Sequence, residues 1–193
     1  MLEALGEVES KKTEAWRFWI MNCVYQTVVG YCDLVNQKSS QQKINPNTIK
    51  PYRLRSLIPD DHLEFLKSGK PYYKHGDFVF IHGGCNPVKP IEEHPFQVLI
   101  WDRSLLQVVF ELIQRDMDLP WEPIYVVGHN TNSRGEPIIK DKFMMLDCGS
   151  PRRLLVVELN SNEAFMAIPN KKRLIAYDLE ETTKEKVLQL RRP

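Results

Sequence analysis

Two short apolar segments of this 193-residue chain each stop at a histidine: Phe78-Val79-Phe80-Ile81-His82, followed by Gly83-Gly84, and Ile124-Tyr125-Val126-Val127-Gly128-His129. A run of β-branched and aromatic residues closed by glycine has the pattern of a fully buried strand. A polar side chain at the carboxyl end of such a strand points into the crevice where open α/β sheets take their ligands. Neutral imidazoles placed there suit zinc, iron or manganese, and paired metal sites mix histidines with bridging carboxylates. Each histidine adjoins a glycine, which lets backbone approach a ligand closely. His82 and His129 together therefore suggest a shared metal site. Taken singly, each has the alternative of being a hydrogen-bonded core histidine.

Two further side chains fall at segment ends. Arg103 follows Val98-Leu99-Ile100-Trp101-Asp102, read as a strand or loop end ahead of a helix, where a guanidinium can fork onto two phosphate oxygens. Its alternative is a surface ion pair with Asp102 or Glu111. Asp147, in Leu146-Asp147-Cys148-Gly149, ends another apolar run. It is placed either to orient a ligand histidine from behind or to make a turn.

The elements that must position these residues follow from periodicity. From Thr13 to about Leu34, apolar side chains at Trp16, Trp19, Ile20, Cys23, Val24, Val28 and Tyr31 have the spacing of an amphipathic helix. Gly30 and the pair Val28-Val29 weaken its end. The polar stretch that follows, with two prolines, reads as loop to residue 58. Pro59-Asp60-Asp61 then opens a short helix that Gly69 stops. Beyond it come short strands: PYYKH, a Gly76-Asp77 hairpin turn, FVFIH, IYVVG, IIK, FMMLD, RLLVVEL and EAFMAI. Asp141 and Asn160-Ser161-Asn162 read as further turns. Residues 103–116 place Leu105, Leu106, Val109, Leu112 and Ile113 on one helical face, so a helix interrupts the strands. The last stretch, 169–193, is charged and reads as a surface helix or tail.

Composition sets outer bounds. With 42% hydrophobic residues the chain can build a sizeable core, and one domain over 1–193 is the default. The 26 basic and 25 acidic residues leave a net charge of +1, which gives no general pull toward nucleic acid or membrane. No window reaches the roughly 18 apolar residues of a membrane span, and the amino-terminal stretch is acidic without a secretory core, so a cytoplasmic protein is expected. Cys23, Cys32, Cys85 and Cys148 show no C-x-x-C pair, which favours reduced thiols over disulfides or structural zinc.

In order along the chain, FVFIHGGCNP, LIWDR, YVVGHNTN and FMMLDCGSPRRLLVVEL resemble the carboxyl-terminal half of calcineurin-like metallophosphoesterases. Within that superfamily they resemble most the bacterial and phage serine/threonine protein phosphatases and the symmetrical diadenosine tetraphosphatases. There one strand ends in His-Ala-Gly, a Trp-x-Arg segment follows, a second strand ends in Gly-His-Thr, and Ile-Asp-Thr-Gly precedes the last strands. The resemblance covers roughly Pro59 to Phe165. It implies an α+β fold: part of a β-sandwich flanked by helices in α/β/β/α layers, with the amino-terminal strands and metal motifs missing. It implies that His82 and His129 are ligands of a dinuclear centre of manganese, iron or zinc, that Arg103 binds phosphate, and that Asp147 supports the site. Such enzymes hold two metals about 3.5 to 4 Å apart and clamp the phosphoryl oxygens during in-line attack by a bound water.

Departures from the family pattern matter as much. Gly83 replaces the alanine after the first histidine, Asp102 precedes the arginine, and Asn130 separates His129 from Thr131. Gly-Asp-x-His, Gly-Asp-x-x-Asp-Arg-Gly and Gly-Asn-His-Glu, which supply the family's other ligands, do not occur in the sequence. Asp60-Asp61-His62 is the one Asp-x-His, but it opens a helix rather than following a strand. The opening MLEALGEV resembles the helix that follows Gly-Asn-His-Glu, which would place the absent motifs ahead of Met1. Two imidazoles without a bridging carboxylate hold at most one metal weakly. The expectation is thus a phosphoesterase acting on a phosphoprotein or dinucleotide, completed by a separately encoded amino-terminal half. The alternative is a non-catalytic module that binds a phosphorylated ligand or a protein. A bared sheet edge and apolar face would favour self-association.

Overall fold

In the computed structural model the described residues are 19, 25–38, 43–131, 135–149, 153–159, 163–167 and 175–178. Thr13, Cys23, the Asn160-Ser161-Asn162 turn and the final residues 179–193 lie outside them. The contacts gather in two compact units, residues 1–69 and 70–193.

The first unit is helical: α1 over Tyr25–Lys38, α2 over Pro51–Arg55 and α3 over Asp60–Lys67. Val28 and Cys32, one turn apart on α1, meet Leu54, Ile58 and Leu63 in a small core. The helix runs through Gly30, because that buried stripe outweighs the roughly 1 kcal/mol penalty of one glycine. α2 lies inside the stretch expected to be loop. Pro51, pre-set for a first helical turn, starts it, and Leu54 closes over the core with no exposed surface. The segment before it is clamped to α1, since Asn36 Nδ2 donates to the Ile44 carbonyl at 3.0 Å and the Ile44 amide returns a bond to Asn36 Oδ1 at 2.8 Å. Asp60 and Asp61 occupy the first turn of α3, where their charge complements the helix dipole. His62 turns a ring nitrogen to the Tyr31 hydroxyl at 3.1 Å.

The second unit is mixed. β1 (Tyr72–His75) and β2 (Phe78–Ile81) form an antiparallel hairpin whose turn uses Gly76 at φ 54°. The chain then passes through α4 (Phe96–Trp101) and α5 (Ser104–Gln114) before β3 (Ile124–Val127). β3 lies parallel to β2, which is the order a helical crossover produces. β4 (Ile138–Lys140) and β5 (Phe143–Met145) form a second hairpin, with β5 parallel to β3. The result is a five-stranded sheet in the order β1-β2-β3-β5-β4, flanked by helices. A second sheet is an antiparallel meander of β6 (Leu154–Glu158), β7 (Glu163–Ala167) and β8 (Ile175–Asp178).

The core of this unit joins alternate strand residues to the apolar face of α5: Val79, Ile81, Tyr125, Val127, Phe143 and Met145 with Leu105, Val109 and Ile113. Side chains buried to this degree contribute on the order of 1.5 to 3 kcal/mol each. Asp102 fixes where α5 begins, its Oδ2 accepting from the backbone amides of Ser104 at 3.1 Å and Leu105 at 3.3 Å.

A second expectation fails in this unit. Val98 to Trp101, read as a strand or loop end, is helical. A short apolar run cannot be told from a helix by periodicity. Here Pro95 sets the entry, and Leu99 alone is buried while Phe96 and Trp101 stay exposed, which suits a single-faced turn better than a buried strand.

Candidate functional site

β2 and β3 run side by side in the same direction, so their carboxyl ends open at the same place. The Gly128 amide donates to the His82 carbonyl at 3.0 Å, extending the ladder one step beyond both strands. That bond brings the two imidazoles together, with ring centroids 4.9 Å apart. His129 adopts φ 57°, a left-handed conformation that costs a residue with a β-carbon about 1 kcal/mol. Strain of this kind collects where a side chain must be aimed.

Arg103 and Trp101 arrive from the far side of the crossover. α4 can end there only because Gly83 is a glycine: its amide donates to the Leu99 carbonyl at 2.7 Å, and a β-carbon on it would lie 2.8 Å from the Ile100 carbonyl carbon. Gly84 is as tightly placed, since a β-carbon would come within 2.8 Å of the Asp102 carboxylate. The Gly83-Gly84 pair thus lets α4 close against the end of β2. Arg103 Nη2 then stands 3.5 Å from His129 Nε2, and the Trp101 indole meets the His129 ring edge-on at 5.1 Å. Asp102, a candidate ion-pair partner for Arg103, has its carboxylate engaged at the start of α5 instead.

The electrostatics favour a neutral His129. Its pKa is lowered chiefly by burial, then by the neighbouring His82 and by the Arg103 charge, with Asp147 pulling the other way. A neutral ring with a free lone pair is the form that binds a metal or accepts from a guanidinium. Asp147 makes the turn that was one of its two readings: its Oδ1 accepts from the Gly149 amide at 2.9 Å, with Gly149 at φ 88°. It also reaches the same cleft as the two histidines.

That cleft has a volume of about 600 Å³ and is lined at one end by His82, His129 and Asp147. Of the four residues singled out from sequence, His82, His129 and Asp147 line the cleft, and Arg103 joins them through His129. Among the described residues no three His, Cys, Asp or Glu side chains converge to hold a metal ion.

Sequence reasoning missed three contributors. Trp101 enters the sequence reading only through the Trp-x-Arg segment, with no role of its own. Arg153 lines the cleft and donates to the Gly135 carbonyl, wedged where Gly135 has no β-carbon. Lys70 also lines the cleft, its Nζ 5.9 Å from the Tyr73 ring centroid. Arg153 heads the RLLVVEL run and Lys70 precedes PYYKH, but neither has the strand-end spacing that singled out the two histidines. Among the described residues no helix is long and apolar enough to cross a membrane. Comparison of the chain with protein-family models, with curated proteins and with solved structures returned no match.

Proposed function

We propose that this chain binds phosphoryl groups and contributes His82 and His129 to the dinuclear centre of a calcineurin-like metallophosphoesterase, most similar to the protein phosphatases. The observation that carries this reading is the convergence of two strand-end imidazoles, 4.9 Å apart, with an arginine 3.5 Å from one of them. The imidazoles fit two positions of a divalent ion's donor set, and Arg103 fits the role of a phosphoryl clamp. When bound, the metal pair would supply the activated water and part of the charge that stabilises in-line displacement. Arg103 would hold the phosphoryl oxygens, Trp101 would fix the plane of the His129 ring, and the Gly83-Gly84 contact would hold the arginine in reach. The remaining ligands come, on this reading, from residues outside this sequence, such as a separately encoded segment carrying Gly-Asp-x-His and Gly-Asn-His-Glu. The β1–β2 side of the first sheet and the β6–β8 sheet would belong to the family's sandwich.

One observation favours a second reading, a non-catalytic phospho-ligand module: no third ligand joins the two histidines among the described residues. Calorimetry with manganese separates the two when run with and without a polypeptide carrying the absent motifs. The first reading expects weak binding by this chain alone, tight binding of two ions once the segment is supplied, and hydrolysis of p-nitrophenyl phosphate lost on His82→Ala. Unchanged metal affinity and no hydrolysis in the reconstituted mixture would leave the binding module standing.

A further inference from the structure

The cleft is larger than a phosphoryl group requires. At about 600 Å³ it falls within the size range of sites that enclose an organic ligand. Much of its lining besides the histidines is aromatic and aliphatic. The register of the β1–β2 hairpin pairs Tyr73 with Phe80 and His75 with Phe78, and cross-strand partners share a face. Four rings therefore stand together: Tyr73 and Phe80 tilted at 6.1 Å, Phe78 and Phe80 at 6.1 Å, and Tyr73 and His75 at 6.5 Å with ring planes 9° apart. This is the face opposite the buried core, whose hairpin members are Val79 and Ile81. Tyr73 is 54% exposed, although a large aromatic side chain gains from being covered.

The row leads to the metal-side end of the cleft. Phe80 lies two residues before His82, so strand alternation places both toward the same face, and both line the cleft with Tyr73. Gly128, beside His82, carries no side chain, and a β-carbon on it would lie 3.5 Å from the His82 carbonyl oxygen and 3.8 Å from its Nδ1. Leu154, 63% exposed on β6, adds an apolar side chain to the same lining. Lys70, whose Nζ stands 5.9 Å from the Tyr73 ring centroid, adds a positive charge to the lining on the Tyr73 side.

Resting on the phosphoryl reading of the His82–His129 end, we propose that the Tyr73–Phe80 face is the leaving-group subsite and that the substrate is an aryl phosphomonoester of the tyrosyl phosphate kind. The phosphoryl group lies at Arg103 and the imidazoles, and the esterified ring lies on Tyr73 and Phe80. A serine or threonine phosphate has no ring to place there and leaves those aromatic surfaces wet. Charge complementarity orients the ligand: its dianion goes to the cationic end, and the carboxylate or backbone of a tyrosyl unit goes toward Lys70.

The test is calorimetric binding by the full chain in a manganese-containing buffer, with phenyl phosphate, O-phosphoserine and inorganic phosphate as probes. Phenyl phosphate is expected to bind about tenfold more tightly than the other two. Tyr73→Ala is expected to remove two- to tenfold of that preference, the worth of one aromatic pair, while inorganic phosphate affinity stays unchanged. Tyr73→Phe, which keeps the ring, should retain the preference. Equal affinities for all three probes, or a preference that survives Tyr73→Ala, would overturn the aryl subsite and leave phosphoryl binding intact. No binding of any probe would overturn the phosphoryl reading itself and this inference with it. Since Tyr73 is exposed and its backbone pairing is independent of its ring, the variant should fold, and circular dichroism checks that it does.

Discussion

Gly83→Ala is the smallest change that tests how the site is assembled. The new methyl carbon would stand 2.8 Å from the Ile100 carbonyl carbon and 2.9 Å from the Trp101 nitrogen, against an ordinary contact limit near 3.4 Å. Both obstacles are main chain, so no rotamer can relieve them, and α4 must recede by about 0.6 Å. Overpacking of this kind costs about 1 to 3 kcal/mol. Stretching the 2.7 Å Gly83–Leu99 hydrogen bond adds about 0.5 to 1 kcal/mol. Reduced freedom of the unfolded chain returns about 0.4 to 1 kcal/mol. The net expectation is a loss of about 2 kcal/mol. With a urea dependence of about 1 to 3 kcal/mol per molar, the unfolding midpoint should fall by about 1 M. Hydrogen exchange should speed up in the peptides covering Phe78 to Gly84 and Phe96 to Arg103. Because α4 carries Trp101 and is followed by Arg103, phosphate affinity should fall in the same variant even where it remains folded. A midpoint within about 0.3 M of the parent, with unchanged exchange, would refute the claim that Gly83 is required by the approach of α4. Gly30→Ala is the contrast: a β-carbon there meets nothing within 4 Å, so the same chemical change inside α1 should stabilise by about 0.5 to 1 kcal/mol.

Three further outcomes are expected. Asp102→Ala removes the carboxylate that accepts from the Ser104 and Leu105 amides and should cost about 1 kcal/mol in a thermal or urea melt, with Asp102→Asn recovering most of it. Burial of Cys85 pushes its thiol up from 9.0 to about 11, with the Asp102 charge adding and the Tyr125 hydrogen bond opposing. The folded pKa is the higher one, so this contribution is complete below pH 9 and is lost as pH rises toward 11; it amounts to roughly 2 to 3 kcal/mol, and Cys85→Ala should flatten the stability curve in that window. His129→Gly should relieve the strain of φ 57° and melt no lower than the parent while losing metal binding, whereas a substantially lower melting temperature would show that the ring contacts outweigh the backbone strain.

How much of this was readable from the chain depends on how local each cause is. FVFIH and IYVVG were legible as strands because short β-branched and aromatic runs end where glycine or a polar side chain intervenes, although Phe78 and Phe80 are only half-buried and β2 is not covered on both faces. The hairpin at Gly76-Asp77 and the α5 face were legible for the same reason, since turn chemistry and 3.6-residue periodicity act over a few residues. α4 was not, because six residues from Phe96 to Trp101 complete fewer than two turns and its helical state is decided by packing against Gly83 and Gly84. The same holds for α2, where Leu54 is helical because it closes a core built by α1 and α3.

The site divides along the same line. His82 and His129 announced themselves by standing at strand ends, and their convergence follows from β2 and β3 being parallel neighbours, which the intervening helical crossover makes the expected arrangement. Arg103 reaches His129 only through the α4 turn, so its position depends on two glycines twenty residues earlier rather than on its own surroundings. The alanine expected by family resemblance at position 83 would not fit under this α4. The substitution and the tight helix are therefore one feature: the chain carries glycine there because its main chain passes closer to the end of β2 than a methyl group allows. Trp101 and Arg103 are brought to the imidazoles by that approach, which makes Gly83 as much a determinant of the His129 side of the cleft as the residues that face it.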